Sequence, residues 1–93
     1  MKAYEILYII ESGVSDEKRE ELINKVTALV KDNKGEAEEP EKWGMKKFAY
    51  PINYKNEGYY VLMNFKADVN VPKVLESQLR ITDGIVRFMI VAK

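Results

Sequence analysis

The stretch that decides the fold is KWGMKKFAYPINYKNEGYYVLMNFK, residues 42–66. Large apolar and aromatic side chains recur along 42–54 and again along 59–66, which predicts two strands. The Gly-containing segment 56–58 between them predicts the turn of a hairpin. Pro40 and Pro51 lack an amide hydrogen, so the first strand of the hairpin should lie at a sheet edge or contain bulges.

A helix and a further strand are predicted on each side of this hairpin. Residues 16–32 carry one apolar stripe behind Ser15, a candidate N-cap, and residues 70–80 carry another behind Asn70. Apolar strands are predicted at 2–10 and 85–91. The order β-α-β-β-α-β predicts a single α+β domain over 1–93, a ferredoxin-like split βαβ sandwich. Its four antiparallel strands, in spatial order 4-1-3-2, should carry both helices on one face.

The composition excludes several classes of function. The 93 residues include no His and no Cys, which removes disulfides, thiolate catalysis and the usual zinc ligands. No Gly-rich phosphate loop is present, and the glutamates of 36–41 match no calcium loop, so we expect that segment to be a solvated connection. The composition therefore disfavours catalysis, although carboxylates alone could still support an enzyme. Without a long apolar run or a signal-peptide pattern, a cytoplasmic location is predicted.

The net charge of zero hides a polarised chain. Residues 1–41 carry 6 basic and 11 acidic side chains, whereas residues 42–93 carry 9 basic and 4 acidic ones. Such asymmetry suggests an anionic partner for the second half, although a mixed solvated surface is the simpler interpretation of charge alone.

The face of the sheet away from the helices is the candidate binding surface. If the bulkier phase of the first strand, with Tyr4 and Tyr8, faces the helices, the opposite phase faces outward. The same reasoning assigns Val61, Met63 and Phe65 of the third strand to the core. In the last strand it assigns Val86, Phe88 and Ile90 to the core, so that Ile85 and Arg87 point outward. The outward apolar residues are Leu7, Ile9, Tyr60, Leu62, Met89 and Val91. A patch of this size predicts a binding surface; an error in one strand's phase, or self-association, would also account for it.

An aliphatic face suits a protein partner better than a stack of RNA bases. Only Tyr60 is a clear outward aromatic, and the RNP1 pattern of RNA-recognition modules is absent. Basic side chains at the margins could contact phosphate: Lys2, Lys46, Lys47, Arg87 and Lys93. The lysines of the edge strand have a second explanation, since they also prevent edge-to-edge aggregation.

Several short motifs, in order along the whole chain, resemble one family. They are Tyr4-Glu5, Trp43-Gly44, Phe48-Ala49-Tyr50-Pro51-Ile52, Gly58-Tyr59-Tyr60 and Leu79-Arg80-Ile81 with Asp83 and Arg87. The chain resembles the bacterial small-subunit ribosomal protein six family. The resemblance implies a ferredoxin-like fold, no enzymatic activity and no cofactor.

The resemblance also implies partners and contact residues. Members bind the central domain of 16S ribosomal RNA as a heterodimer with small-subunit ribosomal protein eighteen. Basic residues at positions 2, 46 and 47, the arginine at position 87 and the aromatic residues Tyr50 and Tyr60 match family positions. The alternative hypothesis is a small regulatory domain that self-associates through its open sheet, because the fold alone does not decide function. An acylphosphatase-like enzyme is disfavoured, since the loop at 11–15 lacks an arginine.

Overall fold

The computed structural model describes the backbone of residues 1–52 and 55–93 and the side chains of residues 1–47 and 57–93. Seven elements follow one another in the part of the chain that the structure describes. They are β1 (Lys2–Glu11), α1 (Asp16–Asp32), β2 (Glu36–Ala37), β3 (Glu41–Ile52), β4 (Lys55–Ala67), α2 (Val71–Arg80) and β5 (Ile85–Ala92). This is the predicted ferredoxin-like arrangement, with one short additional strand.

The sheet is antiparallel, and β1 lies at its centre between β4 and β5. Both β2 and β3 pair with β4, along the edge of β4 that faces away from β1. If the short β2 is left aside, the order β5-β1-β4-β3 is the predicted 4-1-3-2. Part of the segment expected to be a solvated connection is therefore β2, because Glu36 and Ala37 pair with Lys66 and Phe65 of β4.

The hairpin is longer than predicted. Gly58 was expected to lie in the turn, but it pairs with Glu11 of β1 and with Lys46 of β3 inside the sheet. Pairing continues to Ile52 and Lys55, and positions 53–54 lie outside the described residues. The sequence does not distinguish a glycine inside a paired strand from a glycine in a turn, and for this reason the turn was predicted too early, at 56–58.

The helices begin and end close to the predicted residues. Ser15 caps α1 as expected, since its hydroxyl accepts a hydrogen bond from the amide of Lys18 at 3.2 Å. Asn70 precedes α2 but makes no side-chain cap, and Pro72 occupies the first turn instead. Neither helix in the described part of the chain has the length and apolar character that crossing a bilayer requires.

One core lies between the helices and one face of the sheet. The predicted core phases of β1 and β4 are confirmed, since Tyr4, Ile6, Tyr8 and Ile10 are buried, as are Val61, Met63 and Phe65. The buried stripes of both helices join them, led by Leu22, Val26, Leu75 and Leu79. Burial of these side chains against both helices leaves the other face of the sheet uncovered by any described element.

The phase of β5 changes near its start. Arg87 pairs with Ile9, but the next residue of β1, Ile10, pairs with Ile85, so the register shifts at this point. The prediction that Ile85 points outward is therefore wrong, because a bulge places it beside Ile10, where it packs against the core. Phe88 and Ile90 also pack against the core, as expected.

Candidate functional site

The uncovered face of the sheet, called the open face below, brings the predicted apolar residues together. Leu7 and Ile9 lie on the central strand, and their cross-strand neighbours share their side of the sheet. Its two middle rows are Leu62–Leu7–Met89 and Tyr60–Ile9–Arg87, and Val91 follows beside Glu5. All six predicted apolar residues are thus in one contiguous area.

Exposure is uneven across this face. Ile9, between Tyr60 and Arg87, is only 9% exposed, whereas Met89 is 59% and Val91 is 42% exposed. The centre is covered by its own cross-strand neighbours, and the apolar surface is most accessible on the side of β5. The folded chain therefore presents apolar area next to an edge strand, which a partner could cover.

The predicted basic residues do not form one patch. Lys46 pairs with Gly58 and Arg87 pairs with Ile9, so both are in phase with the open face and lie near one end of it. Lys93 is at the other end, where its amide donates to the carbonyl of Ala3 at 3.0 Å. From Ile9 to Ala3 is about 20 Å along β1, too far for the three cations to contact one phosphate.

Two of the basic candidates belong to the opposite phase. Lys47 pairs with Glu57, and Lys2 pairs with the buried Ala67, so strand alternation places both on the helix side of the sheet. The side chain of Tyr50 lies outside the described residues. Alternation with Tyr4 already indicated the side of Lys2. The sequence did not determine the phase of β3, because a bulge near Pro51 could shift it.

On the helix side, two cations are already engaged. The ammonium of Lys42 donates to Glu20 of α1 at 2.6 Å, and this hydrogen bond raises the pKa of Lys42. The guanidinium of Arg19 lies 4.3 Å from the ring centroid of Tyr59, a cation–π contact that also joins α1 to the hairpin. These cations hold the hairpin against α1. In contrast, Lys46, Lys47 and Arg87 make no ion pair with any other described residue.

The outer edge formed by β2 and the start of β3 is acidic. Glu36 and Glu41 pair with Lys66 and Leu62, which places them in the open-face phase. The amide of Glu38, between them, donates to the carbonyl of Asn64 at 2.9 Å. The open face therefore carries charges of both signs. Its carboxylates are those of Glu36 and Glu41 at this edge and of Glu5 and Glu11 on β1, and its cations are Lys46, Lys66, Arg87 and Lys93.

Trp43 was not predicted as a site residue. It is 46% exposed, and the ammonium of Lys46 lies 5.6 Å from its ring centroid. The glycine of the Trp-Gly motif was the available signal, since a glycine inside a strand often marks a bulge.

The described residues contain no chemistry that suggests catalysis or metal binding. No group of three or more His, Cys, Asp or Glu side chains in this part of the chain is placed to hold a metal ion. A groove of about 370 Å³ runs between β2, β4 and β1, where Glu36, Glu38, Lys66 and Lys93 contribute to its lining. Its mixed charge and open shape fit a macromolecular contact surface better than a substrate pocket.

Comparisons with known proteins agree with this geometry. The sequence model described as Ribosomal protein S6 matches residues 3–92. A "Small ribosomal subunit protein bS6" of Clostridium novyi is 44% identical over 91 residues, covering 98% of this chain and 96% of that protein. One from Caldanaerobacter subterraneus subsp. tengcongensis is 42% identical, with the same coverage.

The fold comparison gives the same family. The crystal structure of 30S ribosomal protein S6 from Thermotoga maritima superposes with a TM-score of 0.94 and 34% sequence identity, covering 99% of this chain and 87% of that one. The family model extends over almost the whole chain, the sequence relatives match over nearly their full length, and the sheet and helices coincide. This chain belongs to the ribosomal protein S6 family.

Proposed function

We propose that this small-subunit ribosomal protein binds the central domain of 16S ribosomal RNA together with small-subunit ribosomal protein eighteen, as a heterodimer. The family is structural and non-enzymatic, so the proposal concerns binding alone. The observation that carries it is the open face, an apolar area bordered by cations that have no ionic partner among the described residues.

The apolar part of the open face supports a protein partner. Leu7, Leu62 and Met89 form one row of aliphatic side chains, and Met89 and Val91 are well exposed. Such side chains supply contact area for another protein, whereas single-stranded RNA is bound chiefly by aromatic rings and cations. The carboxylates along β2 favour a partner that carries basic residues at the matching edge.

The cations support contact with RNA. Lys46 and Lys93 lie at the margins of the apolar area, and Arg87 lies at the β5 end of the row of Tyr60 and Ile9. A protein bound over the aliphatic side chains could leave these cations accessible to phosphate. Lys2, Lys47 and Tyr50 are proposed as further contacts, and Lys2 and Lys47 would reach RNA that passes around the edge to the helix side. Each neutralised phosphate releases counterions, so the affinity should fall steeply with salt concentration.

The test is a titration of labelled central-domain RNA with this protein alone and with protein eighteen, at several salt concentrations. We expect tight, salt-sensitive binding only when both proteins are present. The double variant Lys46→Ala/Arg87→Ala should lower the slope of log affinity against log salt by about 1.4 to 1.8, the release from two phosphates. Lys42→Ala is the matched control, because it removes a lysine of the same strand that is already paired with Glu20.

Three results would count against the proposal. If the double variant keeps the wild-type slope, Lys46 and Arg87 are not phosphate contacts. If RNA binds equally well without protein eighteen, joint recognition is wrong. If no RNA binds with both proteins present, the function itself is wrong for this chain.

The alternative is self-association through the open face, which the exposure of Met89 and Val91 favours. It predicts a concentration-dependent dimer without RNA, and Leu62→Asp should dissociate this dimer by placing a charge in the middle of the face. Sedimentation as a monomer at tens of micromolar would exclude it.

A further inference from the structure

The strongest feature outside the contacts already proposed is the bulge around Trp43 in β3. Lys42 pairs with Val61 and Gly44 pairs with Tyr60, so Trp43 has no pairing partner of its own. Gly44 has a φ of +88°, which a glycine adopts without strain, and a side chain built there would meet nothing within 4 Å. The bulge therefore turns the tryptophan out of the regular pairing and leaves open space beside it.

The packing of the fold does not explain the position of this indole. Trp43 belongs neither to the buried core nor to the apolar side chains packed against it, and it is 46% exposed. Tryptophan side chains are on average more deeply buried than Trp43 is here. An exposed ring held by a bulge on an edge strand is a surface that can receive a flat partner.

The charge beside the ring indicates the chemistry of that partner. Chain order places Glu41 before the indole and Lys46 after it, and it is the Lys46 ammonium that lies over the ring, at 5.6 Å from its centroid. This distance is close to the outer limit of about 6 Å for a cation–π contact. The Lys46 ammonium can therefore move to a nearby anion and lose little cation–π interaction energy. An exposed ring beside such a cation suits a nucleotide, which carries a flat base and a phosphate.

We propose that Trp43 stacks on one unpaired base of the RNA, and that Lys46 contacts the phosphate of the same or the adjacent nucleotide. This inference rests on the proposed RNA binding and adds to it a stacking residue and the kind of RNA element it requires, a loop, bulge or strand end with an unstacked base. A rigid double helix would not satisfy it, because its bases are not available to the ring.

The sequence provides a direct reporter, because Trp43 is the single tryptophan of the chain. The experiment adds labelled central-domain RNA to the full chain bound to protein eighteen and records RNA anisotropy and tryptophan emission in one titration. A parallel titration with Trp43→Phe supplies the emission of the partner protein, which is subtracted. We expect the emission of Trp43 to be quenched along the same isotherm as the anisotropy.

The variants separate stacking from general surface effects. Trp43→Ala should weaken RNA affinity by about 5- to 150-fold, the range for loss of one base–aromatic stack, whereas Trp43→Phe keeps a ring and should retain most of the affinity. Met45→Ala is the matched control, since Met45 is a similarly exposed apolar residue of the same strand, and it should bind as the wild type does. Thermal unfolding should confirm that all three variants remain folded.

The outcomes distinguish this inference from the proposed function. If RNA binds with normal affinity to Trp43→Ala and the wild-type emission is not quenched, stacking is wrong while RNA binding stands. If protein eighteen alone quenches Trp43, and Trp43→Ala weakens that protein complex, the indole belongs to the protein interface and the inference is also overturned. If the wild-type proteins bind no RNA, both conclusions fail.

Discussion

The buried hydroxyl of Tyr8 leads to the most direct prediction about stability. Tyr8 is fully buried on the core side of β1, and its hydroxyl oxygen has no hydrogen-bond partner among the described residues. A hydroxyl buried without a partner costs about 1–3 kcal/mol in proteins. Tyr8→Phe removes the hydroxyl and keeps the ring, so we expect the free energy of unfolding to rise by about 1–2 kcal/mol at pH 7.

The gain in stability from Tyr8→Phe should depend on pH. Burial, with a smaller contribution from the charge of Glu20, raises the pKa of Tyr8 well above its usual value near 10. Above pH 10 the Tyr8 phenol ionises in the unfolded chain but not in the folded one. This ionisation favours the unfolded state, so the free energy of unfolding of the wild type falls as the pH rises. One proton of difference changes stability by about 1.4 kcal/mol per pH unit. The advantage of Tyr8→Phe should therefore grow by about 1.4 kcal/mol between pH 9 and pH 11.

Urea unfolding followed by circular dichroism at pH 7, 9 and 11 measures both effects. Tyr4→Phe is the control at pH 7, because Tyr4 is also buried and stacks on Phe65, but its hydroxyl is not among the buried groups that lack a partner. This control should show no comparable gain. A loss of 1 kcal/mol or more in Tyr8→Phe at pH 7 would refute the reasoning, since it would mean that the hydroxyl makes a favourable bond. An advantage that stays constant from pH 9 to pH 11 would refute the role of burial.

Three further predictions concern the turn before β5, the first helix and the open face. Gly84→Ala should destabilise the fold by about 3 kcal/mol in urea unfolding, because φ is +97° and the new Cβ would lie 2.8 Å from Leu22 Cδ1; a loss below 1 kcal/mol would show that the turn relaxes. Ser15→Ala should cost about 1 kcal/mol through loss of the cap on α1, measured as a lower thermal midpoint, and an unchanged midpoint would contradict this. Leu62→Asp should weaken binding to protein eighteen by at least about 30-fold in calorimetry with little change in thermal stability, whereas wild-type affinity would exclude the open face as the interface.

The parts of the fold that depend on local signals were predictable. The bounds of α1 follow from a cap, an acidic first turn and a single apolar stripe, all within the helix itself. The phases of β1 and β4 follow from alternation, because one face of each strand is bulkier. The location of the open face followed from these two strands, and its six apolar residues were identified from sequence.

The parts that depend on pairing between strands were not predictable. Gly58 was expected in a turn because the sequence does not show that Glu11 and Lys46 pair with it. Ile85 was expected to point outward because the register shift is set jointly by β1 and β5. In the same way, the bulge that exposes Trp43 depends on how β3 meets β4. Local sequence determines which residues form strands, while register depends on the neighbouring strand.

The position of β1 has a consequence for how the protein is made. Both of its neighbours in the sheet follow it at a distance in the sequence, and β5 is the last of the described elements. The amide of Lys93 donates a hydrogen bond back to the carbonyl of Ala3. About 80 residues separate β1 from β5, so at translation rates of about 5–20 residues per second, β1 waits roughly 4 to 16 s for that partner. During this time one edge of an apolar strand has nothing to pair with. The nascent chain, more than the finished domain, therefore exposes an unpaired apolar strand edge, which is the feature that makes folding intermediates prone to aggregate.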